Sequence, residues 1–407
     1  MLGGGFQSPI PRIHKCLAGY PLKVLHVISS ADPAGGGPIE AVKQLGMAQV
    51  SAGHQVEIAS LDPPDASYLA QCPLPIYPLG PATSGYSYSA RLIPWLCANR
   101  GAYDAVIVNG IWQFHSLGTW RALRNSDTPY VLFVHGMLDP WFKKQFPVKH
   151  LKKWMYWPWA EYRVLRDARA VMFTCEEERV LARSSFWLYR CNEVVVGLGI
   201  GNPKGNPKLE LREFFGRYPN LHGKKVVLFM GRIHPKKGCD LLIEAFARIL
   251  AQHPEWHLVF AGPDQIAWQN ELNSRAMQLG VADRITWTGM ISGAMKWGAL
   301  RSAEVFVLPS HQENFGVVVS EALAAGVPAL ISNKVNIWRE IKADGAGMVA
   351  EDTLQGTCDL LQSYVKMSTE KRLVMRRCAR DCFKERFEIR KAAESLQAVL
   401  ASATGVN

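Results

Sequence analysis

The chain has 407 residues, 48% hydrophobic and 20% charged, the balance of a globular protein with room for two domains rather than one core. Nine cysteines without a CxxC pair argue against a disulfide framework, and no apolar run approaches the roughly 18–20 residues of a membrane span. The formal net charge of +11 leaves nucleic acid, anionic membrane or phosphorylated substrates as partners.

Along the chain, residues 1–15 are rich in Gly and Pro without an apolar stretch. They read as a loose leader rather than a secretory signal, and with reduced thiols they point to a cytoplasmic address. The run 23–30 (KVLHVISS) predicts a first strand, followed by a Gly-rich loop at 32–38 and a helix from about Ile39. Further strands are predicted at 55–60, 74–79, 105–109, 130–135, 170–174 and 193–196, with helices between most of them. Residues 141–169 hold eight Lys or Arg against Glu161 and Asp167, interleaved with eight aromatic residues. That segment is either a solvated helical face with core aromatics or an element made for an anionic membrane surface. The stretch 197–207 (GLGIGNPKGNP) suits a linker.

After the linker the pattern restarts. Strands are predicted at 225–230, 256–261, 284–288, 305–309 and 328–332, with helices at 239–251, 267–279 and 316–325, and a helical tail after Phe387. Alternation of short apolar runs with helices is the signature of parallel α/β sheets. The expected fold is therefore α/β, two Rossmann-like domains facing across a cleft. Their expected bounds are 1–203 (with 1–20 as a loose leader) and 204–386, and residues 387–407 form a helix returning to the first domain.

The strongest chemical signal is Glu313-Asn314-Phe315-Gly316-Val317-Val318-Val319-Ser320-Glu321, directly after a predicted strand. Gly316 lets backbone approach a ligand closely, and the free N–H groups opening the next helix make an anion site. Glu321 is placed to accept hydrogen bonds from ribose hydroxyls, and Glu313 can reach sugar hydroxyls. Taken alone, the pair could also be one helix-end carboxylate and one surface carboxylate. The second signal is Gly231-Arg232-Ile233-His234-Pro235-Lys236-Lys237-Gly238, after the first strand of the second half. Arg232 offers a planar fork to phosphate and Lys237 a mobile point charge, although the spacing is not that of a P-loop. Either cation could instead be merely solvated.

Together with the Gly262-Pro263-Asp264 turn and the turn Thr288-Gly289-Met290, these segments resemble family 4 of the retaining glycosyltransferases, of GT-B fold. The resemblance is strong over about 225–350. It is weaker in the first domain, where Gly35-Gly36-Gly37 and His135-Gly136 carry it. It implies a hexosyltransferase taking a nucleotide-sugar donor. Arg232 and Lys237 would bind the diphosphate, Glu321 the ribose, and the backbone of Asn314, Phe315, Gly316 and Val317 the distal phosphate and sugar. Gly36, Gly37, Gly262 and Met290 would line the donor site, while Glu313 and His135 would face the reacting sugar. No Asp-x-Asp occurs, and no metal or other cofactor is expected, because Arg, Lys and helix amides can stabilise a diphosphate leaving group. Two departures stand out. Gly197-Leu198-Gly199-Ile200 replaces the family's Asn-Gly, and Pro38 follows the Gly-rich loop.

His135 could equally be a buried strand-capping histidine, and His115 is a weaker pocket candidate. Other readings keep the fold or the carboxylates but change the reaction. One is an epimerase or phosphorylase on sugar nucleotides or phosphates; another is a glycoside hydrolase using Glu313 and Glu321. The basic charge alone suggests a nucleic-acid binder, but no recognition motif supports it and no nucleic-acid partner is expected. The basic aromatic segment points instead to a peripheral position on the inner membrane face, with a polysaccharide or lipid-linked acceptor.

Overall fold

The computed structural model describes residues 21–405; the leader at 1–15 lies outside the described residues. The first sheet contains β1 (Lys23–Ile28), β2 (Gln55–Ser60), β3 (Ile76–Pro78), β4 (Ala105–Asn109), β5 (Tyr130–Phe133), β6 (Val171–Phe173) and β7 (Glu193–Val195), ordered β3-β2-β1-β4-β5-β6-β7. The second contains β8 (Lys225–Met230), β9 (Trp256–Ala261), β10 (Ile285–Gly289), β11 (Ala303–Leu308), β12 (Ala329–Ser332) and β13 (Gly347–Ala350), ordered β10-β9-β8-β11-β12-β13. Every pairing within the two sheets is parallel.

The sequence explains this directly. Central strands such as AVIVN, YVLF and WHLVFA are buried along their whole length. A strand covered on both faces must be apolar throughout, because each successive side chain meets a helix on one face or the other. In both sheets the order reverses beside the first strand, between β1 and β4 and again between β8 and β11. Open α/β sheets bind ligands at such reversals, beyond the carboxyl ends of the strands.

Two stretches of chain cross between the sheets side by side. Ile200 N–H donates to Phe387 O at 2.9 Å, and Ile389 N–H donates to Ile200 O at 3.0 Å. A Cβ at Gly199 would lie 2.4 Å from Ile389 Cα, so this crossing needs glycine there. The last helix, Ile389–Thr404, then lays Ala392, Leu396 and Leu400 against Val24, Ile107 and Phe133 of the first sheet and Leu22 just before it. This helix is thereby part of the first domain's core. Among the described residues no helix is long and apolar enough to cross a membrane.

The basic aromatic segment divides. Trp157 is fully buried and stacks on Phe186 at 4.5 Å between centroids. The helix Pro147–Tyr156 buries none of its residues. On it Val148, Leu151 and Met155, spaced three and four apart, form one exposed apolar stripe, with Lys149 and Lys152 exposed beside it. Trp159 and Trp187 are exposed nearby in the chain and fold, and Trp187 lies 5.9 Å from Trp154.

Candidate active site

The two strongest sequence signals sit on either side of the reversal in the second sheet. The loop after β8 carries Arg232 and Lys237; the loop after β11 carries Glu313, Asn314 and Gly316. Gly238 ends the first loop in the left-handed region (φ 68°), and a Cβ there would sit 2.3 Å from Pro309 O. Only glycine lets the two loops approach this closely. Gly316 is also left-handed (φ 70°) and caps the helix Val317–Ala324, so the free amides of its first turn face the same space.

Both glutamates are held by lysines. Lys237 Nζ pairs with Glu313 Oε2. Lys296 Nζ pairs with Glu321 Oε1 at 2.6 Å. Lys296 lies on the helix Gly293–Ser302, which follows the turn after β10, and sequence reasoning missed it: no motif marks it, and only packing brings it to Glu321. Arg232 is exposed and makes no ion pair among the described residues. Phe315 turns its ring into the core, edge-on to Phe387, so this residue offers a ligand only its backbone. Val317 is partly exposed at the helix start and Met290 is exposed beyond β10. Gly262 stands directly against Gly231 O, a position fixed by backbone packing. Gly36 (φ 78°) and Gly37 have no atom within 4 Å of a built Cβ, so the Gly-rich loop after β1 borders open space.

His135 follows β5 with a left-handed backbone (φ 51°) and stacks on Phe133 at 5.1 Å. Burial, reinforced by His26 and His115, pushes its pKa down to about 4, so the ring is neutral. His115 is fully buried and bonds the carbonyls of Asn109 and Gly110, which makes it part of the scaffold rather than the site. Gly136 N–H donates to the buried Glu178, which also takes Thr174 N–H at 2.6 Å and is thereby locked beneath the turn.

The domains touch at this level. A Cβ on Gly136 would fall 2.6 Å from Asn314 Cγ, and Asn314 Nδ2 lies 3.3 Å from Thr174 Oγ1. Gln312 Nε2 donates to Asp139 Oδ2 at 2.8 Å, and Lys236 Nζ sits 4.6 Å from the Trp141 ring. Burial, with Lys237 close by, lowers the Lys236 pKa. The His135-Gly136 turn is thereby set against the Asn314 loop of the other domain. Among the described residues no three His, Cys, Asp or Glu side chains cluster as metal ligands.

Two Rossmann-like domains, each an open parallel sheet with a strand reversal, define the GT-B architecture of glycosyltransferases. The chain belongs to the group 1 glycosyl transferases. The family model described as glycosyl transferases group 1 matches residues 212–380, and the glycosyl transferase 4-like domain matches 36–199. The lipopolysaccharide core biosynthesis mannosyltransferase LpsB of Rhizobium meliloti is 26% identical over 256 residues, 60% of this chain and 68% of the relative. The mannosylfructose-phosphate synthase of Agrobacterium fabrum is 33% identical over 123 residues, 29% of this chain; the match spans only 27% of that relative's length. Among solved structures, Anabaena HepE in complex with UDP superposes with a TM-score of 0.76 at 16% identity, covering 94% of this chain and all of that one. Sucrose-phosphate synthase from Thermosynechococcus elongatus gives 0.70 at 20% identity, covering 93% of this chain and 98% of that one. These likenesses establish the fold.

Proposed function

We propose that this glycosyltransferase moves a hexose from a nucleoside-diphosphate sugar with retention of anomeric configuration and without a metal ion. The observation that carries the reading is the convergence of Arg232, Lys237, Glu313, Glu321 and the amides opening helix Val317–Ala324 around one strand reversal, opposite His135. Cations and amide dipoles aimed at a departing diphosphate supply the charge stabilisation that a metal would otherwise provide. Glu321 takes the ribose, Glu313 the transferred sugar, and His135 a hydroxyl of that sugar. Gly36, Gly37 and Met290 border the donor from the rim. That HepE was solved with UDP, and with UDP-glucose, supports a nucleotide-sugar donor. The test is release of nucleoside diphosphate from a panel of donors, with the product anomer read by NMR and EDTA added in parallel. An inverted anomer would overturn the mechanism, and loss of activity in EDTA would overturn its metal independence.

The two carboxylates are expected to separate kinetically. Glu321→Gln weakens a contact made equally in ground and transition states, so the donor KM rises roughly tenfold while kcat changes little. Glu313→Gln removes a contact to the reacting sugar and lowers kcat more than affinity. Steady-state kinetics of both variants check this, and identical profiles would refute the division of roles.

The acceptor is a glycan or lipid-linked sugar at an anionic membrane surface. The exposed stripe Val148, Leu151 and Met155, with Lys149 and Lys152 beside it and Trp159 nearby, has the composition of an interfacial helix. The LpsB relative, named for lipopolysaccharide core biosynthesis, supports this acceptor class. Each lysine near an anionic leaflet contributes about 1 kcal/mol. Reversing Lys143, Lys149 and Lys152 to Glu should therefore weaken binding to anionic liposomes by roughly a hundredfold or more. Flotation at low and high salt measures it. Lys153 is kept because its ammonium sits 4.5 Å from the Trp112 ring and is part of the packing. Absence of flotation by the wild type at low salt would leave a soluble acceptor.

A further inference from the structure

Behind His135 runs a line of buried polar side chains on which the proposed reaction has so far made no demand. Gln49 Oε1 lies 3.3 Å from His26 Nε2, and His26 Nδ1 lies 3.2 Å from Asn109 Nδ2. Asn109 Oδ1 lies 3.3 Å from His135 Nε2. His26 and Asn109 are buried on adjacent strands of the first sheet, and Gln49 is buried on the helix Gly37–Ser51.

The direction of this line follows from backbone groups that cannot reverse. The Asn109 amide also faces Ile107 O at 3.1 Å and Val27 O at 3.5 Å. A carbonyl only accepts, so the side toward Ile107 and Val27 must be the NH2 group, and Oδ1 must be the atom toward His135. One NH2 proton goes to Ile107 O and the other to His26 Nδ1. His26 therefore carries its proton on Nε2, where Gln49 Oε1 accepts it. On the other side, an amide oxygen facing His135 Nε2 requires that nitrogen to hold the proton.

We infer that Asn109, backed by His26 and Gln49, is a positioning residue that fixes His135 in the neutral Nε2–H tautomer and leaves Nδ1 as a bare acceptor for a hydroxyl of the transferred sugar. Nδ1 has no partner among the described residues and is not enclosed. With its one proton committed to the sheet, His135 accepts a hydrogen bond from the sugar and delivers no proton to it. Its depressed pKa, set first by burial and then by His26 and His115, agrees with a ring that stays neutral. The assignment deepens the proposed role of His135 and rests on it.

The test is nitrogen-15 NMR of the full chain labelled at histidine, with His135→Gln used to assign the His135 signal. At neutral pH the wild type should show His135 with the proton on Nε2 and an unprotonated Nδ1. A proton on Nδ1, or a doubly protonated ring, overturns the inference. Asn109→Ala should give a mixture of tautomers at His135 and lower kcat/KM roughly three- to tenfold, the effect of one neutral hydrogen bond. A folded Asn109→Ala that keeps a pure Nε2–H ring overturns the part assigned to Asn109. Because the wild-type spectrum needs no change to the buried line, it decides the tautomer even if that variant does not fold. Full activity of His135→Gln would instead remove the sugar contact while leaving the measured tautomer intact, so the two failures are told apart.

Discussion

Lys237→Ala should lower kcat/KM by about 2–4 kcal/mol, roughly thirty- to a thousandfold, with the fold retained. The lysine is partly exposed and its partner is Glu313, so removing it subtracts a cation and also leaves an uncompensated carboxylate beside the proposed diphosphate site. Arg232→Ala loses only its own phosphate contact, because Arg232 makes no ion pair among the described residues; it should fall at the lower end of that range. The pair Lys237–Glu313 also makes the effects non-additive. Lys237→Ala combined with Glu313→Gln should bind donor more tightly than Lys237→Ala alone, while turnover stays low. Steady-state kinetics, with titration of the free nucleoside diphosphate, give both quantities. Single variants at both cations within twofold of the wild type would remove Arg232 and Lys237 from the donor site.

The sheets were legible because a doubly covered strand leaves little freedom in composition. KVLHVI, AVIVN and WHLVFA announce themselves, and so do the Gly-rich turns after them. The strand Gly347–Ala350 was not legible: GMVA is short, begins with glycine, and is only half-buried at the sheet edge. The candidate site was legible where its residues are local in sequence, as in the segment from Glu313 to Glu321. It was not legible where chemistry is assembled by packing. Lys296 reaches Glu321 from a helix whose sequence, GAMKWGALRS, carries no signal of a ligand. Glu178 reads as one of three consecutive glutamates opening a helix, yet it alone is buried to hold the Gly136 turn. Asn109 ends an apolar strand, where its side chain reads as a terminator rather than as a support for His135. The aromatic-rich segment 141–169 misleads in another way. Buried Trp157 and exposed Trp159 are two residues apart, and composition cannot say which serves the core.

Gly262→Ala should destabilise the second domain by roughly 3 kcal/mol or more, lowering Tm by about 6–12 °C, because two separate costs coincide. The backbone at Gly262 has φ 151°, a conformation that a residue with a Cβ adopts only under strain. The new Cβ would also lie 1.9 Å from Gly231 O. That carbonyl cannot retreat freely, since Gly231 N–H is bonded to Ala261 O at 2.9 Å and Gly262 N–H to Gly289 O at 2.8 Å. The loops after β8, β9 and β10 are thus tied together at one point, and Arg232 is the next residue along. Gly36 supplies the control. Its φ of 78° also disfavours a side chain, but nothing lies within 4 Å of a built Cβ there. Gly36→Ala should therefore cost only the backbone strain of its φ 78°, ψ −135° conformation, about 1–3 kcal/mol, without the clash. Thermal unfolding of both variants, followed by donor titration at a temperature where each is folded, separates the two roles a glycine can have in this site. If Gly262 mattered only for the approach of a ligand, Gly262→Ala would keep the wild-type Tm and lose donor affinity. The packing predicts the reverse order: the unfolding transition moves first, and donor affinity falls with it, because Arg232 depends on the same tied loops for its place.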